Sequence, residues 1–311
     1  MRIVLADLAS TDGFVSKDTV VGGYGSRLRP FSRVTQIICT LKRRLHEIPS
    51  VQLGYVAAIC AEAGHDVVFT NGPAVGGDVA LVLTSLVDHR REAEWGEAQR
   101  RRGCRVGFIG LTASKLPELF DAHGDFVVAG EPETAARRLA AGEVLSGRVN
   151  SEPVETLDSL PFPRWDLMGD VAPWDWALPF AGRPARGAIP VLASRGCPEF
   201  CTYCPHRILA SYRSRTPENI LDELTYVTEM RPRPYIVFRD PLFTEDRDRC
   251  LELCEGILAR GLRLRFECET RLDRLDTDLL NKMYAAGLRA MSFGVETVSN
   301  DTLRRSGRRA I

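Results

Sequence analysis

At 311 residues the chain is long enough for two domains, each with its own core. Hydrophobic residues make up 44% and charged residues 26%, which excludes a disordered or fibrous class. Lys+Arg and Asp+Glu both number 41, so the broad basic footprint of a nucleic-acid binder is absent.

The predicted elements open with a strand at IVLADL. A helix follows at QLGYVAAICAEAG, stopped by Gly64, and then a strand at DVVFTNG. DVALVLTSL reads as a strand, REAEWGEAQRRRG as a helix, CRVGFIGL and DFVVAGEPE as strands, and ETAARRLAAG as a helix. Short apolar runs separated by helices imply buried parallel strands, hence an α/β, doubly wound, Rossmann-like domain over residues 1–149. Residues 150–186 lack periodicity and hold SLPFPRWD, APWDWALPF and three of the four tryptophans. They read as a Pro/Trp-rich linker that packs its aromatics on its neighbours.

From residue 187 the βα rhythm resumes, with strands at AIPVLAS, PYIVFRD, LRLRFECET and LRAMSFGVET and helices between them, then a last helix starting at SNDTLRR. A serial parallel arrangement predicts a barrel, or part of one, over residues 187–311, with its working loops at the strand C-termini.

SRGCPEFCTYCPH, residues 194–206, closes the first of these strands and places Cys197, Cys201 and Cys204 within eight positions. Nine cysteines with three clustered suit a thiol and metal role better than a disulfide framework. Two ligand readings stand. Structural zinc needs four ligands, and His206 would complete a Cys3His set. An iron–sulfur cubane takes three thiolates on three of its irons and leaves the fourth iron open.

This C-x-x-x-C-x-x-C loop after a first barrel strand, with Tyr203 before its last cysteine, resembles the signature of the radical S-adenosylmethionine (radical SAM) enzymes. The resemblance implies a [4Fe–4S] cluster on Cys197, Cys201 and Cys204 whose open iron chelates SAM. It implies reductive cleavage of SAM to methionine and a 5′-deoxyadenosyl radical, fed by an electron donor such as a flavodoxin or ferredoxin. It places Tyr203 near the adenine, Asp240 near the SAM amine, and Arg271 and Glu296 near the carboxylate and ribose. Each of those three charged residues also reads as a plain ion-pair partner at a barrel mouth. The family barrel has six βα units; four strands and three full helices are legible here, so a working enzyme is expected to need more chain.

The first half resembles the cobalamin-binding domain that precedes the barrel in one branch of that family, through QLGYVAAICAEAGHDV, LVLTSLVDH, RRGCRVGFIGL and FVVAGEPET. The resemblance implies cobalamin held at the strand ends, with Ser85, Gly110, Gly130 and Glu131 as contacts. Gly72, Gly110 and Gly130 would let backbone approach the corrin closely, and they also read as ordinary turn glycines. The D-x-H-x-x-G motif is missing, since Asp88 and His89 are adjacent; His65 and His89 read as surface or capping residues. GGYGSRLRP, residues 22–30, reads as a turn or a lid. Cys250 and Cys254 share a helix face and read as buried, with an auxiliary cluster as the alternative. The Arg runs at residues 100–102 and 304–309 read as solvated helix ends.

The resulting expectation is a cobalamin-dependent radical SAM methyltransferase acting on an unactivated centre of a small-molecule or peptide substrate, with no nucleic acid and no membrane. The alternatives are ring rearrangement or cyclisation, cobalamin-free radical chemistry, and a zinc-stabilised binding module. MRIVLADLAS carries no basic n-region or cleavage site and no run approaches the roughly 18 apolar residues of a membrane span, so a cytoplasmic location is expected.

Overall fold

The computed structural model describes residues 1–10, 14–17, 26–28, 31–37, 49–171, 188–199, 201–202, 204, 210–295 and 297–308, and the statements below refer to these. The chain falls into two compact units. One comprises Met1–Val154 with Leu160–Trp176, the other Glu155–Ser159 with Ala177–Ile311.

The first unit is built on a six-stranded parallel sheet. Its strands are β1 (Arg2–Ala6), β4 (Asp66–Thr70), β5 (Val79–Leu83), β6 (Arg105–Ile109), β7 (Phe126–Gly130) and β8 (Gly147–Ser151), in the order β4-β1-β5-β6-β7-β8. The runs IVLA and VALVL are buried along their whole length, as strands covered on both faces must be. Helix α1 (Val51–Glu62) is buried from Val51 to Cys60 and starts where the Ser50 side chain accepts a hydrogen bond from Leu53 N. Gly64 takes φ 79 just past its end, a conformation favourable to glycine. Helices α2 (His89–Arg101), α3 (Leu111–Lys115) and α4 (Pro132–Ala140) follow β5, β6 and β7.

Two features differ from the sequence expectation, and the packing of one linker tryptophan agrees with it. β8, GRVNS, buries only Val149 and Ser151 and so offers no apolar run to read. It pairs in parallel with β7 and carries the sheet through Ser151, past the expected boundary at residue 149. Residues Phe14–Ser16 and Ser26–Leu28 form an antiparallel pair, β2 and β3; β3 falls within residues 22–30, where a turn or a lid is expected, and most of that glycine-rich stretch lies outside the described residues. Within the expected linker, Trp165 is buried against α1. A Cβ on Gly54 would lie 2.8 Å from its ring, so the helix needs glycine there to admit the indole.

The chain direction reverses across β1 and β5, the place where open α/β sheets bind ligands. Lys17, next after β2, fills it. Its ammonium lies 3.1 Å from Asp7, 3.0 Å from Glu92 and 3.0 Å from the Leu83 carbonyl oxygen. Burial lowers the lysine pKa, but Glu92 and Asp7 more than offset this and hold it above its ordinary value.

The second unit contains a four-stranded parallel sheet, ordered β14-β13-β12-β9, from β9 (Ala188–Val191), β12 (Tyr235–Phe238), β13 (Arg265–Thr270) and β14 (Leu288–Phe293). Helices α5 (Pro217–Met230), α6 (Arg247–Ala259) and α7 (Thr277–Ala286) separate the strands, and α8 (Asn300–Arg305) follows β14. The serial order agrees with the sequence expectation for residues 187–311. Phe238, Phe243 and Phe266 pack together over it, with ring centroids 4.5 to 6.3 Å apart. No helix among the described residues is long and apolar enough to cross a membrane.

Candidate functional site

The chain leaves β9 through Leu192–Arg195, and three charged side chains, Asp240 and Arg215 buried and Arg249 half-buried, hold this exit by its backbone. Asp240 accepts hydrogen bonds from Ala193 N at 3.0 Å and from the Ser194 hydroxyl at 2.5 Å. Arg249 donates to the Ala193 carbonyl and Arg215 to the Leu192 carbonyl, each at 2.9 Å. Arg215 is in turn paired with Glu223. Burying these groups is tolerable only because each is matched. Asp240 is fully buried, and burial pushes its carboxyl above the ordinary value against the pull of Ser194 and Ala193.

Beyond this anchor, β10 (Ser194–Arg195) pairs antiparallel with β11 (Arg213–Ser214) and brackets the cysteine loop. Gly196 sits at φ 72, and a Cβ there would stand 2.5 Å from the Ala210 carbonyl oxygen. Only glycine fits directly before Cys197. The loop is tied down twice more: Thr202 N donates to Ser306 O at 2.8 Å, and Glu199 faces Arg271 at 3.6 Å and Arg274 at 3.5 Å.

Cys197, Cys201 and Cys204 line one pocket of about 410 Å³ at the C-terminal end of the sheet, with Glu199, Leu242 and Thr270, Arg271 and Arg308 among its other walls. Burial is the main cause that raises the Cys197 thiol, and the neighbouring Cys204, Glu199 and Cys201 add to it. None of the eight described cysteines is in a disulfide. Among the described residues no three His, Cys, Asp or Glu side chains gather about one metal-ion position; the three thiols stand around a cavity instead. A donor set of three thiols facing one cavity suits a cluster whose irons each take a different thiolate.

The sequence-predicted residues distribute as follows. Arg271 lines the pocket, where Asp273 holds it bidentately at 2.8 Å and raises its pKa. Asp240 does not line it; its carboxylate is committed to the β9 exit. Tyr203, His206 and Glu296 lie outside the described residues. Glu199, which the sequence reading passed over, is a pocket wall, and so is Arg308, which was expected at a solvated helix end but is buried. Glu199 was visible only as a carboxylate inside the cysteine motif. Arg308 had no local signal, for its place depends on a hydrogen bond of 2.5 Å to Gly294 O across 14 residues.

In the first unit Ser85, Gly110, Gly130 and Glu131 follow the ends of β5, β6 and β7, and so share the C-terminal edge of the sheet. The polar ones turn inward. Ser85 donates through both N–H and hydroxyl to Glu92 at 2.8 Å, and Glu131 accepts from Val154 N at 3.2 Å. Glycine is obligatory at Gly130, where φ is 111 and a Cβ would collide with the Ser151 carbonyl oxygen. What these four positions present at the sheet edge is therefore mainly backbone at the two glycines. His89 is bonded to Leu86 O at 2.7 Å and His65 to Ala140 O at 3.0 Å; these are capping and surface roles. Cys250 and Cys254 are buried on one face of α6, and burial pushes both up to about 12.

Residues 191–311 match the Radical SAM superfamily. The anaerobic magnesium-protoporphyrin IX monomethyl ester cyclase of Synechocystis is 27% identical over 194 residues, covering 58% of this chain and 39% of the relative. An uncharacterised methyltransferase of Pyrococcus horikoshii is 26% identical over 163 residues, 50% of this chain and 33% of the relative. Among solved structures, the cobalamin-dependent S-adenosylmethionine radical enzyme OxsB, with aqua-cobalamin bound, superposes with TM-score 0.70 at 18% identity, over 98% of this chain and 45% of OxsB. The matches thus span less than half the length of each of these relatives.

Proposed function

We propose, on the premise that this chain belongs to the radical SAM superfamily, that its second unit binds a [4Fe–4S] cluster and SAM and its first unit binds cobalamin, for methyl transfer to an unactivated centre. The observation that carries this reading is the single pocket at the end of β9, walled by all three motif cysteines and by two buried arginines. When bound, the cluster would supply the electron that cleaves the SAM sulfonium and starts radical chemistry on the substrate.

The chain's own groups do the rest. Cys197, Cys201 and Cys204 would hold the irons, while the anchors at Asp240, Arg215 and Arg249 keep the loop that carries them in one position. Arg271 and Arg308 bring positive charge to a cavity meant for an amino acid carboxylate. Leu242 and Phe293 supply apolar wall that limits water near a radical. In the first unit, the glycine edge at Gly110 and Gly130 admits a flat macrocycle without side-chain obstruction. The fold likeness to OxsB and the methyltransferase relative support the cobalamin and methyl-transfer parts. Similarity to a cyclase favours ring formation as the second outcome of the same radical step. An electron donor of flavodoxin or ferredoxin type and a small-molecule or peptide substrate belong to the same proposal.

Iron and sulfide analysis of anaerobically prepared protein tests it. About four irons per chain are expected, with broad absorption near 400 nm that the Cys197→Ala, Cys201→Ala, Cys204→Ala triple variant lacks. Unchanged iron in the triple variant refutes the cluster. Hydroxocobalamin that does not co-elute with the wild-type chain refutes the cobalamin part alone.

A further inference from the structure

Glu199 stands midway between Cys197 and Cys201, only 9% exposed. A loop that merely had to turn there would need no charge, and a buried carboxylate costs several kcal/mol unless it is paired. Here the pairing is elaborate. One carboxylate oxygen lies 3.6 Å from Arg271 Nη1 and the other 3.5 Å from Arg274 Nη2. Both arginines come from the turn after β13, which contains Leu272–Arg274. Arg271 is fixed by Asp273 at 2.8 Å, and Arg274 carries a second carboxylate, Glu245, at 3.1 Å. Two acids and two bases are thus locked around an anion that sits inside the ligand loop itself, and the same pocket holds Glu199, Arg271 and the three thiols.

We propose that Glu199 is a positioning residue that sets the reduction potential of the bound cluster, its charge held at a fixed place beside the thiolates by Arg271 and Arg274. This rests on the cluster reading above. The potential of such a cluster follows its net charge, the hydrogen bonds to its sulfurs and its exposure. A fixed anion next to the thiolates opposes the added electron, and the two guanidinium groups favour it. Glu199 therefore lowers the potential and its partners raise it. Removing Glu199 takes one negative charge from beside the thiolates and leaves Arg271 with Asp273 and Arg274 with Glu245, so the potential rises.

The test uses the full chain, reconstituted anaerobically with iron and sulfide and titrated with dithionite in the presence of redox mediators, the reduced cluster being counted by its paramagnetic resonance signal. Glu199→Gln is expected to hold roughly tenfold more reduced cluster than wild type at one fixed potential, equivalent to about 59 mV for a one-electron couple. Glu199→Asp, which restores the charge, is expected to return close to wild type. Arg274→Gln is expected to shift the ratio the opposite way. Opposite shifts from the acid and base variants cannot come from general loosening of the loop, which would move both alike. If Glu199→Gln takes up no iron, the Asp and Arg274→Gln variants decide the matter by the same ratio. Unchanged potentials in variants with full iron content overturn the proposal and leave the cluster reading standing; a wild-type chain that takes up no iron overturns both.

Discussion

Lys17 holds Asp7, Glu92 and the Leu83 carbonyl oxygen together at the point where the first sheet changes direction. Glu92 is wholly buried. Burial raises its pKa, while Lys17 and the Ser85 N–H pull it back. Taking away the lysine leaves a buried acid with no cation, so Lys17→Met is expected to cost about 3–5 kcal/mol at neutral pH. The pH dependence of the variant has a definite sign. A carboxyl whose folded pKa is raised binds its proton more readily folded than unfolded, so stability is retained below the unfolded value near 4.3 and falls as pH rises through the folded value. Urea denaturation of the variant is therefore expected to show partial recovery at pH 5 relative to pH 7; an equal or larger deficit at pH 5 contradicts this account. None of the three ionic partners is near another in sequence, which is why this cluster was invisible before the fold was known. The cysteines were legible because their spacing is local.

Element by element, the strands that are buried on both faces were readable as apolar runs, and the polar edge strand β8 was not. β8 joins the sheet by pairing with β7 along its length, and the glycine at the end of β7 admits the Ser151 carbonyl there. Gly130→Ala puts a Cβ against the Ser151 carbonyl in a backbone conformation that costs a non-glycine residue about 1–3 kcal/mol by itself. Its urea midpoint is expected to fall with the slope unchanged, and only in the transition of the first unit, since two separate cores need not unfold in one step. At the α6–α7 contact, Asp276 caps α7 by accepting from Leu279 N at 2.9 Å and pairs with Arg247 at 2.6 Å. The Arg247 hydrogen bond, with the cap, lowers its pKa to about 2. A depressed carboxyl contributes stability above its unfolded value near 3.9 and loses it as pH falls through about 2. Asp276→Asn keeps the cap, since both residues serve there, and is expected to flatten the acid dependence of α7 between those values, read by amide exchange of Leu279 and Leu280.

Across the whole molecule, the described cysteines differ in how readily reagents reach them. Burial pushes Cys60, Cys250 and Cys254 up to about 12 and Cys104 up to about 11, and holds Cys268 well above its ordinary value. The thiolate is the reactive form, so these five are expected to react slowly at neutral pH. Cys197 and Cys204 are partly exposed and border a cavity open to reagents. The consequence is analytical. A maleimide added to the folded, metal-free chain should carry label to Cys197 and Cys204 and spare those five positions, and label lost after iron and sulfide are supplied should report that the loop is occupied. Peptide mapping of the label reads this out: modification of Cys250 or Cys268 at a rate matching Cys204 would mean that the second unit's core opens far more readily than its packing implies.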